Sequence, residues 1–123
     1  MTILGFLSVA FAGGLGAVCR LLLDGIIQER NSGRFPWGTV TINVTGSFAL
    51  GCVVGVAAGA PLPGSFAFVA GTGFLGGYTT FSTASYETVD LLREGRWCAG
   101  AANGLGVLVL AVLAAAAGFW ITR

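Results

Sequence analysis

The sequence predicts an all-α membrane protein with four transmembrane helices in a single domain of 123 residues. Only 9% of its residues are charged and its mean hydropathy is +0.88, whereas about 25% of residues are charged in an average soluble domain. Three stretches carry no charged side chain, namely 1–19, 35–86 and 97–122. Because a spanning helix needs about 20 apolar residues, the middle stretch provides two passes and the others one each.

The composition excludes several classes of function. The chain has no histidine, which removes imidazole metal sites and histidine acid–base catalysis, and its net charge of +1 includes no basic patch for nucleic acid. Cys19, Cys52 and Cys98 lie far apart without CxxC spacing, so neither a disulfide framework nor a zinc site is predicted. The carboxylates lie in connections or near helix ends, and no enzyme is predicted.

The first helix is predicted at 2–23. Gly13, Gly14 and Gly16 give it a surface that another membrane helix can approach closely. Arg20 lies near the end of the apolar run, and an arginine at that depth must reach the interface, pair, or face water. An interfacial anchor and a role in an aqueous vestibule are therefore equal alternatives for Arg20.

The second helix is predicted at 38–59, and small or polar residues recur along it at a spacing of four. That spacing places them on one face of the helix: Asn43, Ser47, Gly51, Gly55 and Gly59. The glycines predict close helix packing. An amide at membrane depth must face protein or a polar pathway, so Asn43 either lines a pore or makes an interhelical hydrogen bond of about 1 kcal/mol.

The third helix is predicted at 65–92 with a break at 76–80. Gly76 and Gly77 are adjacent there, and Gly77 is expected to matter because a Cβ would disfavour positive-φ backbone. Unpaired backbone groups are costly in lipid, so an irregular segment survives only inside protein or beside water. The break is therefore a candidate ion or substrate site, and the alternative is a glycine- and threonine-rich packing helix.

Uncharged hydrogen-bond donors surround the break and continue into the fourth helix, which is predicted at 97–121. They comprise hydroxyl groups, amides and the edge of one aromatic ring: Thr80, Ser82, Thr83, Ser85, Asn43, Asn103 and Phe81. A cation pathway more often has acidic rings, and none is present in the membrane-spanning segments. A donor-rich lining favours a small hydrated anion, whereas carbonyl groups exposed at a helix break are cation ligands.

Four stretches resemble the Fluc (CrcB) fluoride channels, namely 13–20, 38–48, 71–83 and 92–96, and the resemblance extends along nearly the whole chain. It implies a passive channel that exports F⁻ across the plasma membrane of a bacterium or similar microbe. The channel would be an antiparallel dimer of four-helix subunits with two narrow pores. Since HF crosses the membrane unaided and dissociates in the more neutral cytoplasm, F⁻ must leave through such a channel.

The resemblance also implies roles for individual residues. A structural sodium ion at the dimer centre would be held by the backbone carbonyls of Gly76 and Thr79. The family's pore and vestibule positions fall on four residues of this chain: the pore positions are Phe81 and Asn43, and the vestibule positions are Arg20 and Glu87.

Two residues depart from the family pattern. Ala84 stands where many relatives carry a second pore phenylalanine, and Val107 stands where many carry a polar residue on the fourth helix. A pore formed by two copies of this chain would therefore lack an aromatic edge and a hydroxyl group.

The distribution of arginines indicates one orientation in the membrane. The connections at 24–37 and 93–96 lie on the same side and carry four of the six basic residues: Arg30, Arg34, Arg93 and Arg96. The opposite side carries Arg123 and the terminal amine. Because basic connections stay cytoplasmic, both termini are predicted outside. Such a bias does not suit a dual-topology homodimer, so a heterodimer with a homologous subunit of opposite topology is the hypothesis.

Two other functions remain as alternatives. A small four-helix multidrug-type exporter would couple transport to protons through a membrane-embedded carboxylate, and its nearest candidate is Glu87, close to a helix end. A non-transporting membrane assembly subunit would explain the glycine ridges but would leave the broken segment unexplained.

Overall fold

The computed structural model describes residues 2–31 and 33–123, and these two ranges contain helices and short connections but no β-strand. Five helical segments follow in order: α1 (Ile3–Arg30), α2 (Trp37–Gly59), α3 (residues 64–78), α4 (Ser82–Arg93) and α5 (Trp97–Thr122). α3 and α4 are the two halves of the third predicted helix. The prediction of an all-helical chain with a broken third helix is confirmed.

Three of these helices are long and apolar enough to cross a membrane by themselves, namely α1, α2 and α5. The break divides the remaining segment into two shorter pieces, α3 and α4. Large apolar side chains stay exposed along the outer surface, among them Phe6, Phe11 and Leu113. Lipid is the solvent that such a surface requires, and the fold is that of a multi-pass membrane protein.

α1 continues seven residues beyond the end of the predicted helix at Leu23 and finishes at Arg30. Its last two turns are polar, and the Gln28 amide donates to both carboxylate oxygens of Asp24 at 3.2 and 3.3 Å. Arg30 in the final turn complements the partial negative charge of the helix end. The apolar pattern therefore predicts only the part of α1 that lipid can surround.

The break lies later in the chain than the sequence predicts. The sequence places it at 76–80, whereas Gly76 and Gly77 are helical and the chain leaves the helix at Thr79 with φ −80° and ψ 161°. The expectation of positive-φ backbone at Gly77 is wrong, since among the described residues only Gly95 has a positive φ. An extended conformation is open to any residue, so the break itself does not require glycine.

Glycine at position 77 has a different reason. A Cβ there would overlap the carbonyl oxygen of Gly13 on α1, and one at Gly16 would overlap the Phe74 carbonyl oxygen. α1 and α3 therefore approach each other backbone to backbone. This is the close approach that small residues permit in membrane helices, as the Gly13–Gly16 pattern predicts.

The glycine face of α2 packs against the second half of α5. A Cβ on Gly51 would overlap the Ala115 carbonyl oxygen, and one on Gly118 would overlap the Phe48 carbonyl oxygen. Thr122 of α5 also donates its hydroxyl to the Cys52 carbonyl at 3.1 Å. The prediction of close packing along this face is confirmed, and this contact holds α2 and α5 together.

Two segments are wound more widely than an α-helix. Val69–Leu75 in α3 and Ala102–Gly106 in α5 are π-helical, which the sequence does not predict. Such π segments are often found at functional sites because they change which side chains face a cavity. Here one precedes the break and the other contains Asn103.

Candidate functional site

The helix break is a three-residue interruption between α3 and α4. The last helical hydrogen bond of α3 runs from the Thr79 N–H to the Leu75 carbonyl at 3.0 Å, and the Thr79 hydroxyl donates to that same oxygen at 2.9 Å. Phe81 already has helical backbone angles, with φ −89° and ψ −39°. The interruption is therefore short, and the backbone groups of Thr80 need partners outside the helix.

The side chain of Asn43 on α2 supplies those partners. The Thr80 N–H donates to Asn43 Oδ1 at 2.8 Å, and Asn43 Nδ2 donates to the Thr80 carbonyl at 2.8 Å. The amide therefore pairs with one residue's backbone much as a neighbouring strand would. The interhelical hydrogen bond that the sequence leaves open for Asn43 is confirmed, and Asn43 also lines the cavity described below.

The first turn of α4 is capped from within the break. The Thr83 N–H donates to the Thr80 hydroxyl at 3.1 Å, and the Ser82 hydroxyl lies 3.4 Å from the same oxygen. A hydroxyl group that accepts from the third residue beyond it satisfies one of the free N–H groups at a helix start. Thr80, Ser82 and Thr83 are thus brought together, but as parts of a cap.

The carbonyl oxygens of Gly76 and Thr79, beside the break, have no hydrogen-bond partner among the residues that the structure describes. In an uninterrupted helix, the Gly76 carbonyl would accept from the Thr80 N–H, which here donates to Asn43. The two oxygens are hard, uncharged ligands of the kind that unwound membrane helices offer to Na⁺, so the residues present fit such an ion.

A concave cavity of about 790 Å³ lies beside the break, between α2, α3, α4 and α5. Most of its wall is apolar, and it includes seven of the predicted site residues: Asn43, Gly76, Thr79, Thr80, Phe81, Ser85 and Asn103. Ala84 and Val107, which depart from the family pattern, also line it. Ser82 and Thr83 lie outside this lining.

Phe81 stands on the rim of the cavity. Its side chain is 87% exposed, although a phenylalanine is usually buried in protein or lipid. The residue one turn later on the same face of α4 is Ala84, so no second ring lies beside it. The chain therefore contributes a single aromatic edge to this cavity.

Asn103 lies at the back of the cavity and is only 3% exposed. Its Nδ2 donates to the Thr88 hydroxyl at 2.9 Å and to the Ala84 carbonyl at 3.4 Å. Both N–H groups of the amide are thus directed at α4. Thr88 is a cavity residue that the sequence reasoning missed, although its position four residues after Ala84 and one turn from Ser85 could have indicated it.

Arg20 and Glu87 lie away from this cavity. Glu87 borders a second cavity of about 230 Å³, which lies between the end of α1 and the start of α2 and also contains Gln28 and Arg34. Buried Arg20 Nε and Glu87 Oε1 have no hydrogen-bond partner among the described residues. The one ion pair within 4.0 Å in the described ranges joins Arg34 to Glu94 at 3.5 Å.

The chain is similar to proteins of known family. The family model of the CrcB-like protein, Camphor Resistance (CrcB), matches residues 7–119. The chain is 53% identical over 121 residues to fluoride-specific ion channel FluC 1 of Leifsonia xyli subsp. xyli, covering 98% of this chain and 88% of that one. It is 40% identical over 123 residues to FluC 2 of Mycobacterium tuberculosis strain H37Rv, covering 100% and 94% respectively.

A third relative, FluC of Opitutus terrae, is 42% identical over 113 residues, which cover 89% of this chain and 85% of that protein. The match to the family model spans the break, the glycine face of α2, and α5 as far as Phe119. The resemblance read from the sequence is confirmed, and the chain belongs to the CrcB-like family.

Proposed function

We propose that this chain is a subunit of a passive, fluoride-selective channel that carries F⁻ out of the cytoplasm and lowers cellular fluoride. The observation that carries the proposal is its 53% identity, over 98% of the chain, to a protein named as a fluoride-specific ion channel. The chain acts without catalysis. The chemistry of the cavity beside the break agrees with this function.

Fluoride is small and strongly hydrated, so a pathway for it must replace water with hydrogen-bond donors and positive ring edges. The cavity offers Thr80, the amide of Asn43 and the exposed ring of Phe81 around one point of the break. Among the residues that the structure describes, no carboxylate lines this cavity. Ser82, Thr83 and Asn103 would extend this pathway along α4 and α5.

The cavity needs a second subunit to become a pore. Its wall is open and largely apolar, and Phe81 projects from the rim into space that a partner would fill. An antiparallel partner would place two breaks face to face. Four carbonyl oxygens, from Gly76 and Thr79 of each subunit, would then surround a common point, where a structural Na⁺ would screen their mutual repulsion.

The partner is a homologous subunit of opposite orientation. Two observations support a heterodimer: the arginines concentrate on one side of the membrane, and Ala84 and Val107 leave the cavity without a second ring or hydroxyl. Positive connections remain in the cytoplasm, so this chain inserts with both termini outside. A reporter fused to the C terminus is expected to give an outside signal only, and equal inside and outside signals would contradict a fixed orientation.

A fluoride-selective electrode on proteoliposomes tests the channel. Liposomes loaded with potassium fluoride and containing this chain with a homologous partner should release F⁻ when valinomycin is added. The release should not depend on a proton gradient. Rapid efflux from liposomes that contain this chain alone would remove the need for a partner.

The same experiment discriminates the two alternatives. A multidrug-type exporter would show proton-coupled exchange, and its carboxylate should lie in the transport cavity, whereas Glu87 borders the separate second cavity. An assembly subunit would show no transport with any partner. Vesicles prepared without protein measure the background leak of HF.

A further inference from the structure

At the break, one backbone N–H group bonds to a side chain and not to the carbonyl group that it would use in a continuous helix. In an uninterrupted α-helix, the Thr80 N–H would bond to the carbonyl of Gly76, four residues earlier. Here the N–H bonds to Asn43 Oδ1 at 2.8 Å instead, and the Gly76 carbonyl is left without a partner among the described residues. The Asn43 side chain on α2 therefore leaves the Gly76 carbonyl on α3 without its helical hydrogen bond.

The Asn43 side chain is held by two hydrogen bonds to the backbone of Thr80. It uses both its acceptor and its donor on the same residue, with Nδ2 bonded to the Thr80 carbonyl at 2.8 Å. The neighbouring contacts hold α2 and the break in register. Thr45 and Tyr78 share a hydrogen bond of 3.0 Å, and Gly46 leaves space for the Thr79 methyl group, which a Cβ there would overlap.

From this geometry we infer that Asn43 is a positioning residue for a cation at the break. By occupying the backbone groups of Thr80, it prevents α3 from continuing as a helix and keeps the Gly76 and Thr79 carbonyls free as ligands. The inference rests on the proposed function, because the cation is the structural Na⁺ assigned there. Asn43 thus links the anion pathway, which it lines, to the cation site, which it does not touch.

The chemistry of two substitutions separates this role from a simple pore contact. Asn43→Leu has nearly the same size but cannot accept from the Thr80 N–H, so that N–H is free to return to the Gly76 carbonyl. Asn43→Asp keeps an acceptor for the N–H and loses the amide donor. A residue that only lined a pore would affect flux in both variants and would leave the break unchanged in both.

One isotope-labelled peptide group can report on both the cation site and the contact with Asn43. Thr79–Thr80 is the only Thr–Thr peptide in the chain. Threonine labelled with ¹³C at the carbonyl and ¹⁵N at the amide, incorporated by cell-free synthesis, therefore gives one NMR signal that combines the Thr79 carbonyl with the Thr80 N–H. The carbonyl reports on the cation and the N–H on Asn43. Sodium is titrated against a background of a large organic cation.

We expect the Asn43→Leu variant to shift the Thr80 N–H resonance. It should also raise the sodium concentration at half-response of the Thr79 carbonyl by about tenfold or more, as is typical when a residue that orients the ligands of a metal is lost. Thr45→Val is the matched control, because it removes the neighbouring bond to Tyr78 and leaves the Thr80 groups paired. It should leave the Thr80 N–H resonance and the sodium response near those of the unaltered chain.

An unchanged Thr80 N–H resonance in Asn43→Leu would overturn the inference, as would a changed resonance with an unchanged sodium response. If the unaltered chain shows no sodium response while it still transports fluoride, the cation assignment fails and the channel proposal stands. Should Asn43→Leu not fold, Asn43→Asp supplies the test: its Thr80 N–H resonance should move with pH as the new carboxyl group titrates. A resonance that is independent of pH would show that this position does not accept from Thr80.

Discussion

α2 contacts α5 and the helix break in opposite ways. Towards α5 it presents Gly51 and Gly55, and the two backbones approach until a single added carbon would overlap a carbonyl oxygen. Towards the break it presents Asn43 and Thr45, which hold the backbone and the ring of the neighbouring segment through hydrogen bonds of 2.8 to 3.0 Å. The contact with α5 is tightly packed, whereas the contact with the break borders a cavity.

The difference follows from where backbone hydrogen bonds are satisfied. α5 satisfies its own backbone groups along this contact, so dispersion forces and shape alone can bring it against α2. The break cannot do so, and in a membrane an unpaired N–H is costly unless a side chain or water replaces the helix bond. Close packing therefore holds the helices together, and polar side chains determine the local conformation of the backbone at the site.

The largest effect is expected in the tightly packed face. Gly51→Ala should lower the free energy of unfolding by about 1–3 kcal/mol or prevent assembly, because the new methyl group must displace the backbone of α5 at Ala115. Gly59→Ala on the same helix is the control, since its Cβ would meet its nearest neighbour at an ordinary 3.6 Å. The midpoints of thermal unfolding in detergent measure both effects. Equal midpoints would show that the close contact between Gly51 and Ala115 does not stabilise the fold.

A large effect on flux, without one on folding, is expected at the cavity. Phe81→Ile should lower the fluoride flux by about tenfold, which corresponds to a barrier raised by ~1.4 kcal/mol, because it removes the ring edge. The subunit should still fold, since Phe81 is 87% exposed in it. Phe11→Ile, on the outer surface of α1, should leave the flux unchanged. Equal flux in both variants would exclude Phe81 from the pathway.

A moderate effect is expected where α5 meets α4. Thr88→Val removes the hydroxyl that accepts from Asn103 at 2.9 Å and leaves a buried amide N–H poorly paired. The free energy of unfolding should fall by about 1–2 kcal/mol. Ser85→Ala removes only a bond to its own helix, to the Phe81 carbonyl, and should change it by less than about 0.5 kcal/mol. A reversed order would show that the Asn103 contact does not hold these helices.

The smallest effect is expected at the surface. Arg34 and Glu94 form an ion pair of 3.5 Å, but their side chains are 75% and 37% exposed. Glu94→Gln should therefore change the free energy of unfolding by less than about 1 kcal/mol, and the change should disappear at high salt. A larger or salt-independent loss would mean that Glu94 has a second role in the connection between α4 and α5.

Much of the fold could be predicted from the sequence because lipid imposes simple rules. Uncharged stretches of sufficient length become helices, and recurring glycines mark the faces where helices approach, as at Gly13–Gly16 and Gly51–Gly55. The adjacent glycines and the threonines beside them predict a broken third helix, although the two glycines themselves are helical. Asn43 stands out because amide groups are rare in the uncharged stretches, Thr80 lies in the predicted break, and Phe81 is indicated by the family resemblance.

What the sequence could not supply are the contacts between segments distant in the chain. Gly77 is required by the Gly13 carbonyl on another helix and not by its own backbone conformation, and the position of the break depends on Asn43, 37 residues before its partner. The π-helical turn that contains Asn103 is another feature that the sequence does not predict. The apolar pattern and the glycines determine that a membrane bundle forms with a weak point near residue 78. Where the chain leaves the helix, and which carbonyls stay open, is decided by tertiary hydrogen bonds, because two alternative partners compete for one N–H group.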